Sequence, residues 1–190
     1  SFINCFDRDN LDLIDDLIHE NSHHHLNLLL RKHVLYHHDR NQQIFYSPWR
    51  RSLRPLRGIL HATFTFTMGA LLFARLSSWA EGKQGKRSWR EAGLTARHLV
   101  RARFRGLEEI ESVRYSLRDL EYAGRHLKWI TPSGARLINE LEGAIVDAEA
   151  QLSRHRKAIL ASPLGPSLRR HVSELRQARR TYGLMDLKQV

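Results

Sequence analysis

At 190 residues the chain is long enough for one domain with its own core. Its 31 Lys and Arg against 20 Asp and Glu give a net charge of +11, which suits an anionic partner as well as a solvated basic surface. The single cysteine, Cys5, excludes an internal disulfide and a four-Cys zinc site, and fits a reducing, cytoplasmic setting.

Taken in chain order, the first twenty residues are acidic rather than basic and then apolar, unlike a secretory signal. The start at Ser1, with a motif almost at once, is read as a fragment or processed form of something longer. Asp9 or Asn10 can cap a helix predicted over about 10–37, in which Leu11, Ile14, Ile18, Leu26, Leu29 and Leu30 recur at helical spacing. Asp12, Asp15 and Asp16 fall in its early turns, where the helix dipole favours negative charge. A polar loop over 38–43 leads to a short extended run, Ile44 to Trp49, in which Pro48 restricts its predecessor. Beyond the basic connection from Arg50 to Gly58, a second helix is predicted over about 56–79. Its apolar stretch contains His61 and Arg75 and reads as a buried helix, not a membrane span. Residues 81–88, with two Gly and three basic side chains, read as a flexible loop. A long charged helix follows over about 89–128, bent near Gly106. Thr131 and Pro132 look like an N-cap and first helical position, opening a helix to about 161. Pro163, Gly165 and Pro166 end it, and a basic helix over about 167–182 closes the chain. With no strand alternation and no fixed repeat, the class is mainly α. A site-bearing part, 1–82, precedes a supporting basic helical part, 83–190, within one structural unit.

The chemistry concentrates in His19-Glu20-Asn21-Ser22-His23, an HExxH motif on the first helix. Residues four apart share a helix face, so both imidazoles can point at one ion. Glu20 can act as a base on metal-bound water or orient a ligand from behind. The competing reading is a chance match, since seven histidines lie between 19 and 38. His24 and His25 point elsewhere around the helix and read as solvated. A third ligand is needed, and the peptidase solutions fail. Leu26 and Leu29 occupy the places where a metzincin has Gly and His. No Glu lies between Glu20 and Glu81, and the only Asp there is Asp39. His61, in an apolar helix, is the leading candidate against the plainer role of a satisfied core histidine. His33, His37 and His38 are fallbacks. Arg50 and Arg54, between the two ligand-bearing helices, could grip a carboxylate in bidentate fashion or be surface charges. An open iron site beside an Arg-bound dicarboxylate is the layout of a 2-oxoglutarate oxygenase.

Four stretches in this order resemble the HExxH-type Fe(II)/2-oxoglutarate-dependent peptide β-hydroxylases. They are Leu17 to His23 continuing to Leu30, Tyr46-Ser47-Pro48-Trp49-Arg50 with Arg54-Pro55, Gly58-Ile59-Leu60-His61-Ala62 with Phe64, and Thr131 to Arg136. Together they span about 10–140. The resemblance implies hydroxylation of a side-chain β-carbon in a ribosomally made precursor peptide, with Fe(II), 2-oxoglutarate and O₂. It implies His19, His23 and His61 as ligands and Arg50 and Arg54 at the cosubstrate carboxylate. Glu20 then stands behind the metal, and Tyr46 and Trp49 are candidate substrate contacts. The chain departs from the pattern at Ser52 and Leu53, where acidic or Pro residues are expected, and in the extra His24 and His25. Two other readings stand beside it. One is a zinc hydrolase with Glu20 as base. The other is a non-enzymatic module that binds nucleic acid or an acidic partner through the Arg-rich 87–105 stretch, whose plainer reading is a solvated helix face. No membrane is implied, and nucleic acid is the less expected partner.

Overall fold

The computed structural model describes residues 8–37 and 41–184. Cys5, His38 and Asp39 therefore lie outside the described residues. The architecture is mainly α, as the spacing of apolar residues implies. Seven α-helices are described: α1 (Asn10–Lys32), α2 (Leu56–Trp79), α3 (Lys83–Glu91), α4 (Ala96–Arg125), α5 (Pro132–Leu152), α6 (Arg156–Ala161) and α7 (Gly165–Tyr182). A two-stranded antiparallel hairpin, β1 (Phe45–Ser47) and β2 (Ser52–Arg54), sits between α1 and α2.

The hub is α2. It packs most extensively on α4 and also on α5 and α1. By length and composition it could cross a membrane, but 56% of its apolar window is buried inside the protein. Its buried threonines are satisfied within the helix. Thr63 donates its hydroxyl to the Ile59 carbonyl (2.8 Å) and Thr67 to that of Thr63 (2.7 Å). One continuous core joins Leu26 of α1, Ile59 and Leu60 of α2, Ile110 of α4, Ile145 of α5 and Leu168 of α7. It runs through both halves of the chain.

Several elements differ from the sequence expectation. α1 stops at Lys32, five residues early. Beyond it the chain is extended, and Tyr36 bridges Ile130 while Thr131 donates its backbone N–H to the Leu35 carbonyl (3.1 Å). This crossing is so close that a Cβ on Gly134 would stand 2.0 Å from the Leu35 oxygen. Residues 83–88, expected as part of a loop, join 89–91 to form α3. Gly85 lets the helix pass the Trp79 carbonyl, and buried Trp89 anchors it by donating its indole N–H to the Thr95 carbonyl (3.0 Å). The expected long helix from 89 is thus two helices, parted at Gly93, whose φ is +71°. A capping box between Thr95 and His98 opens α4. Gly106 allows close packing rather than marking a break in α4, since a Cβ there would meet the Leu152 side chain at 2.5 Å. Thr131 caps α5 through Gly134 N–H as anticipated, but the helix ends at Leu152, and a 3₁₀ turn (Ser153–His155) separates it from α6.

Charge fastens α1 to α4. Asp9 caps α1 by accepting from the N–H groups of Leu11 and Asp12, and it also accepts from Arg101 (2.5 Å). This guanidinium is the main reason that the Asp9 carboxyl is held down at about 2. Arg101 also approaches Asp12 (3.4 Å), and Arg105 pairs with Asp15. Arg103 reaches Glu81 (2.8 Å), and Arg87 pairs with Glu91 four residues on (2.7 Å). Most arginines of the 87–105 stretch are therefore engaged with acids of α1 and its neighbours, not presented as a free cationic face.

A candidate metal centre between two antiparallel helices

The α1 face toward α2 carries Asp15, His19 and His23, each one turn apart, with buried Ser22 and Leu26 beside them. The partner positions on α2 run the other way. Asp15 Oδ1 is 3.9 Å from where a Gly69 Cβ would stand, the His19 ring lies 5.1 Å from that of Phe66, and the His23 ring 6.3 Å from that of His61. Antiparallel packing thus brings the HExxH helix and the His61 helix face to face.

The two motif histidines converge. Their Nε2 atoms are 3.1 Å apart and their ring centroids 4.7 Å. With metal–nitrogen bonds of about 2.1 Å and angles of roughly 90–110°, two imidazoles on one ion would hold their nitrogens about 3.0–3.4 Å apart. The pair has that spacing, which is also that of an N–H···N hydrogen bond between the two rings. His61 stands further off, and no three His, Cys, Asp or Glu side chains converge at ligating distance among the described residues. Its Nε2 is nevertheless buried without a hydrogen-bond partner. That is not a satisfied core histidine, since leaving such an atom unpaired costs about 1–3 kcal/mol. An orphaned imidazole nitrogen opposite a preformed imidazole pair fits a metal that favours nitrogen ligands.

The electrostatics favour the neutral form of His23 and His61. Burial, reinforced by the Arg57 guanidinium and then by His23, pushes His61 down to about 4. Burial first, then His19, lowers His23, while the charge of partly buried Glu20 acts in the opposite sense. Neutral imidazole is the form that binds a metal.

A second layer closes one side. Trp49, in the turn between β1 and β2, stacks on Phe66 with ring centroids 4.4 Å apart and planes 7° from parallel. Its indole N–H donates to Glu109 Oε2 (2.9 Å). Glu109 on α4 is only 6% exposed, and burial raises its carboxyl to about 8 despite the Trp49 hydrogen bond and nearby Arg105. It is protonated at neutral pH and accepts the indole hydrogen bond as a neutral acid. Burial likewise raises Asp15, against the opposing charge of Arg105.

The other sequence candidates separate. Arg50 and Arg54 are exposed and have no ion-pair partner among the described residues; Arg54 folds over Gly58, with Nε 3.5 Å from where a Cβ there would stand. Tyr46 points the other way along β1, with its ring stacked on Tyr182 (5.2 Å, 4°) and edge-on to Tyr115. It joins the α4–α7 side rather than the histidines. His24, His25, His33 and His37 are exposed. Phe66, Glu109 and Arg57 escaped the sequence reading. Arg57 lies one turn before His61, a spacing that the sequence does display. Glu109 is one carboxylate in a charged helix and carries no local mark.

No protein-family model matches the chain, and comparison with curated proteins finds no match. Fold and site together define a mainly α protein with a pair of facing imidazoles on one helix and a third, unpaired one on its neighbour.

Proposed function

We propose that the protein is a metal-dependent oxygenase that hydroxylates the side-chain β-carbon of a ribosomally made peptide, with Fe(II) and 2-oxoglutarate. The observation that carries this reading is the 3.1 Å Nε2–Nε2 pair of His19 and His23 facing the orphaned Nε2 of His61. When bound, iron would couple O₂ and 2-oxoglutarate to hydroxylation, releasing succinate and CO₂ as the peptide gains a hydroxyl. The chain's own part is threefold. His19, His23 and His61 offer imidazole nitrogens. Arg50 and Arg54, uncommitted to any acid among the described residues, supply guanidinium groups for a dicarboxylate, with Arg57 adding charge next to His61. The Trp49–Phe66 stack, tied to Glu109, bounds the histidines with apolar surface. Glu20 sets the charge beside His23 rather than acting on water. The chemistry suits a cytoplasmic setting, where Fe(II) stays reduced.

The test is metal analysis of protein purified without added metal, followed by succinate release from 2-oxoglutarate with candidate peptides. Iron, with turnover lost in His19→Ala and His23→Ala and with weaker 2-oxoglutarate binding in Arg50→Ala/Arg54→Ala, is the expected result. Zinc together with amide hydrolysis that depends on Glu20 would replace this reading by a hydrolase. Absence of any metal affinity would remove both.

A further inference from the structure

Charge and shape also meet along α4 and α5. Between α4 and α5 runs a groove of about 600 Å³, floored by Leu117, Leu120, Ile138 and Ile145, with Val146 at its rim, 52% exposed. Across α4 lies a cleft of about 410 Å³ that includes Tyr115, Arg176, Arg179 and Arg180. Arg114 and Arg118 border both, so groove and cleft share one cationic ridge.

Internal pairing takes up only part of this cationic surface. Arg179 is committed to Asp119 and the Tyr115 carbonyl, and Arg114 to Glu149. Arg118, Arg176 and Arg180 are exposed and have no carboxylate partner among the described residues; neither has Lys128 at the end of the groove. The Tyr115 hydroxyl, in a residue 6% exposed that lines the cleft, has no hydrogen-bond partner. These free cations contrast with the arginines of 87–105, most of which face acids.

We infer that this groove and ridge form a docking site for an acidic amphipathic peptide segment, which sets aliphatic side chains on the Leu117–Ile138 floor and carboxylates against Arg118, Arg176 and Arg180. Charge complementarity selects an anion, and the aliphatic floor selects what kind. A single-stranded nucleic acid would want aromatic platforms for its bases. None of the residues lining the groove is aromatic. A helix-in-groove mode uses apolar anchors at helical spacing with charge on the flank, as the site offers. The inference stands apart from the metal reading, because docking needs neither metal nor turnover.

The test is fluorescence anisotropy of a labelled peptide of about 18 residues, roughly five helical turns, with Leu on one face and Glu on the other. Comparators are the same composition scrambled and a single-stranded RNA of equal charge. Binding is expected to weaken about tenfold or more for the scrambled peptide, and similarly in Arg118→Glu/Arg180→Glu and in Val146→Asp. Arg87→Glu, whose side chain is paired with Glu91, is expected to bind as wild type. All four of these residues are exposed, so the fold is expected to tolerate the changes, and circular dichroism checks it. Equal binding of the scrambled peptide, unchanged binding in the ridge variants, tighter binding of RNA that the same variants abolish, or no peptide binding at all would each overturn the inference.

Discussion

Glu109→Gln isolates the most unusual ionisable group in the protein. Its carboxyl is raised from 4.5 to about 8, chiefly by burial. Because the folded state holds this proton more tightly than the unfolded chain, the group's contribution is fully present below pH 4.5. It is lost as pH rises through 8. The span corresponds to on the order of 5 kcal/mol. Glutamine keeps an acceptor for the Trp49 indole, 2.9 Å away, and removes the titration. The variant should therefore match wild type within about 1 kcal/mol at pH 5, and exceed it by several kcal/mol at pH 9. Urea unfolding at the two pH values reads the difference directly. If the stability gap between variant and wild type is the same at pH 5 and pH 9, Glu109 is not a buried neutral acid and the account of the Trp49 wall fails.

His61→Leu removes a buried, unpaired nitrogen, so the metal-free protein should be equal in stability or gain up to about 2 kcal/mol, while affinity for Co(II) or Fe(II) falls about tenfold or more. The depressed His61 value also predicts acid sensitivity: stability is intact above 6.5 and falls as pH drops toward about 4, by about 1–2 kcal/mol after solvent screening, and the Leu variant should lose that slope in urea titrations. Gly134→Ala drives a methyl group into the Leu35 carbonyl and should cost about 2–3 kcal/mol by thermal unfolding, whereas Gly143→Ala, with nothing within 4 Å of the new methyl, should gain about 0.5–1 kcal/mol.

Long periodic segments were legible in the sequence, and their neighbours were not. The bounds of α2 follow from a long, mainly apolar run opened by Pro55, and the start of α5 from Thr131-Pro132. α3 was missed because Gly85 and its basic flanks mimic a loop, while the force that folds it is burial of Trp89 against Phe73 and Leu11, far away in sequence. The early end of α1 has the same cause. Residues 34–36 exchange helical hydrogen bonds for pairing with 130–131. At the site, i,i+4 spacing was enough to place His19 and His23 together. Tyr46 and Trp49 look alike in sequence, three residues apart, but β-strand alternation and the turn send them to opposite sides.

The helix that carries the HExxH motif is weakly held by apolar contact. Only Leu11, Ser22 and Leu26 of α1 are buried. Its register against α2 rests as much on the ladder of Asp9, Asp12 and Asp15 with Arg101 and Arg105 of α4. Asp15 lies one turn from His19, whose charge acts on the Asp15 carboxyl. Arg105→Met should therefore strand a largely buried carboxylate, cost about 2–3 kcal/mol, and weaken metal binding although Arg105 touches neither motif histidine. The double variant Arg105→Met/Asp15→Asn removes the stranded charge and should recover most of both losses. Isothermal titration with Co(II), alongside urea unfolding, separates the two effects. If Arg105→Met loses stability but binds metal as wild type does, the ladder holds the fold without setting the imidazole pair, and the geometry of His19 and His23 must come from the apolar contacts of Leu26 and Phe66 alone.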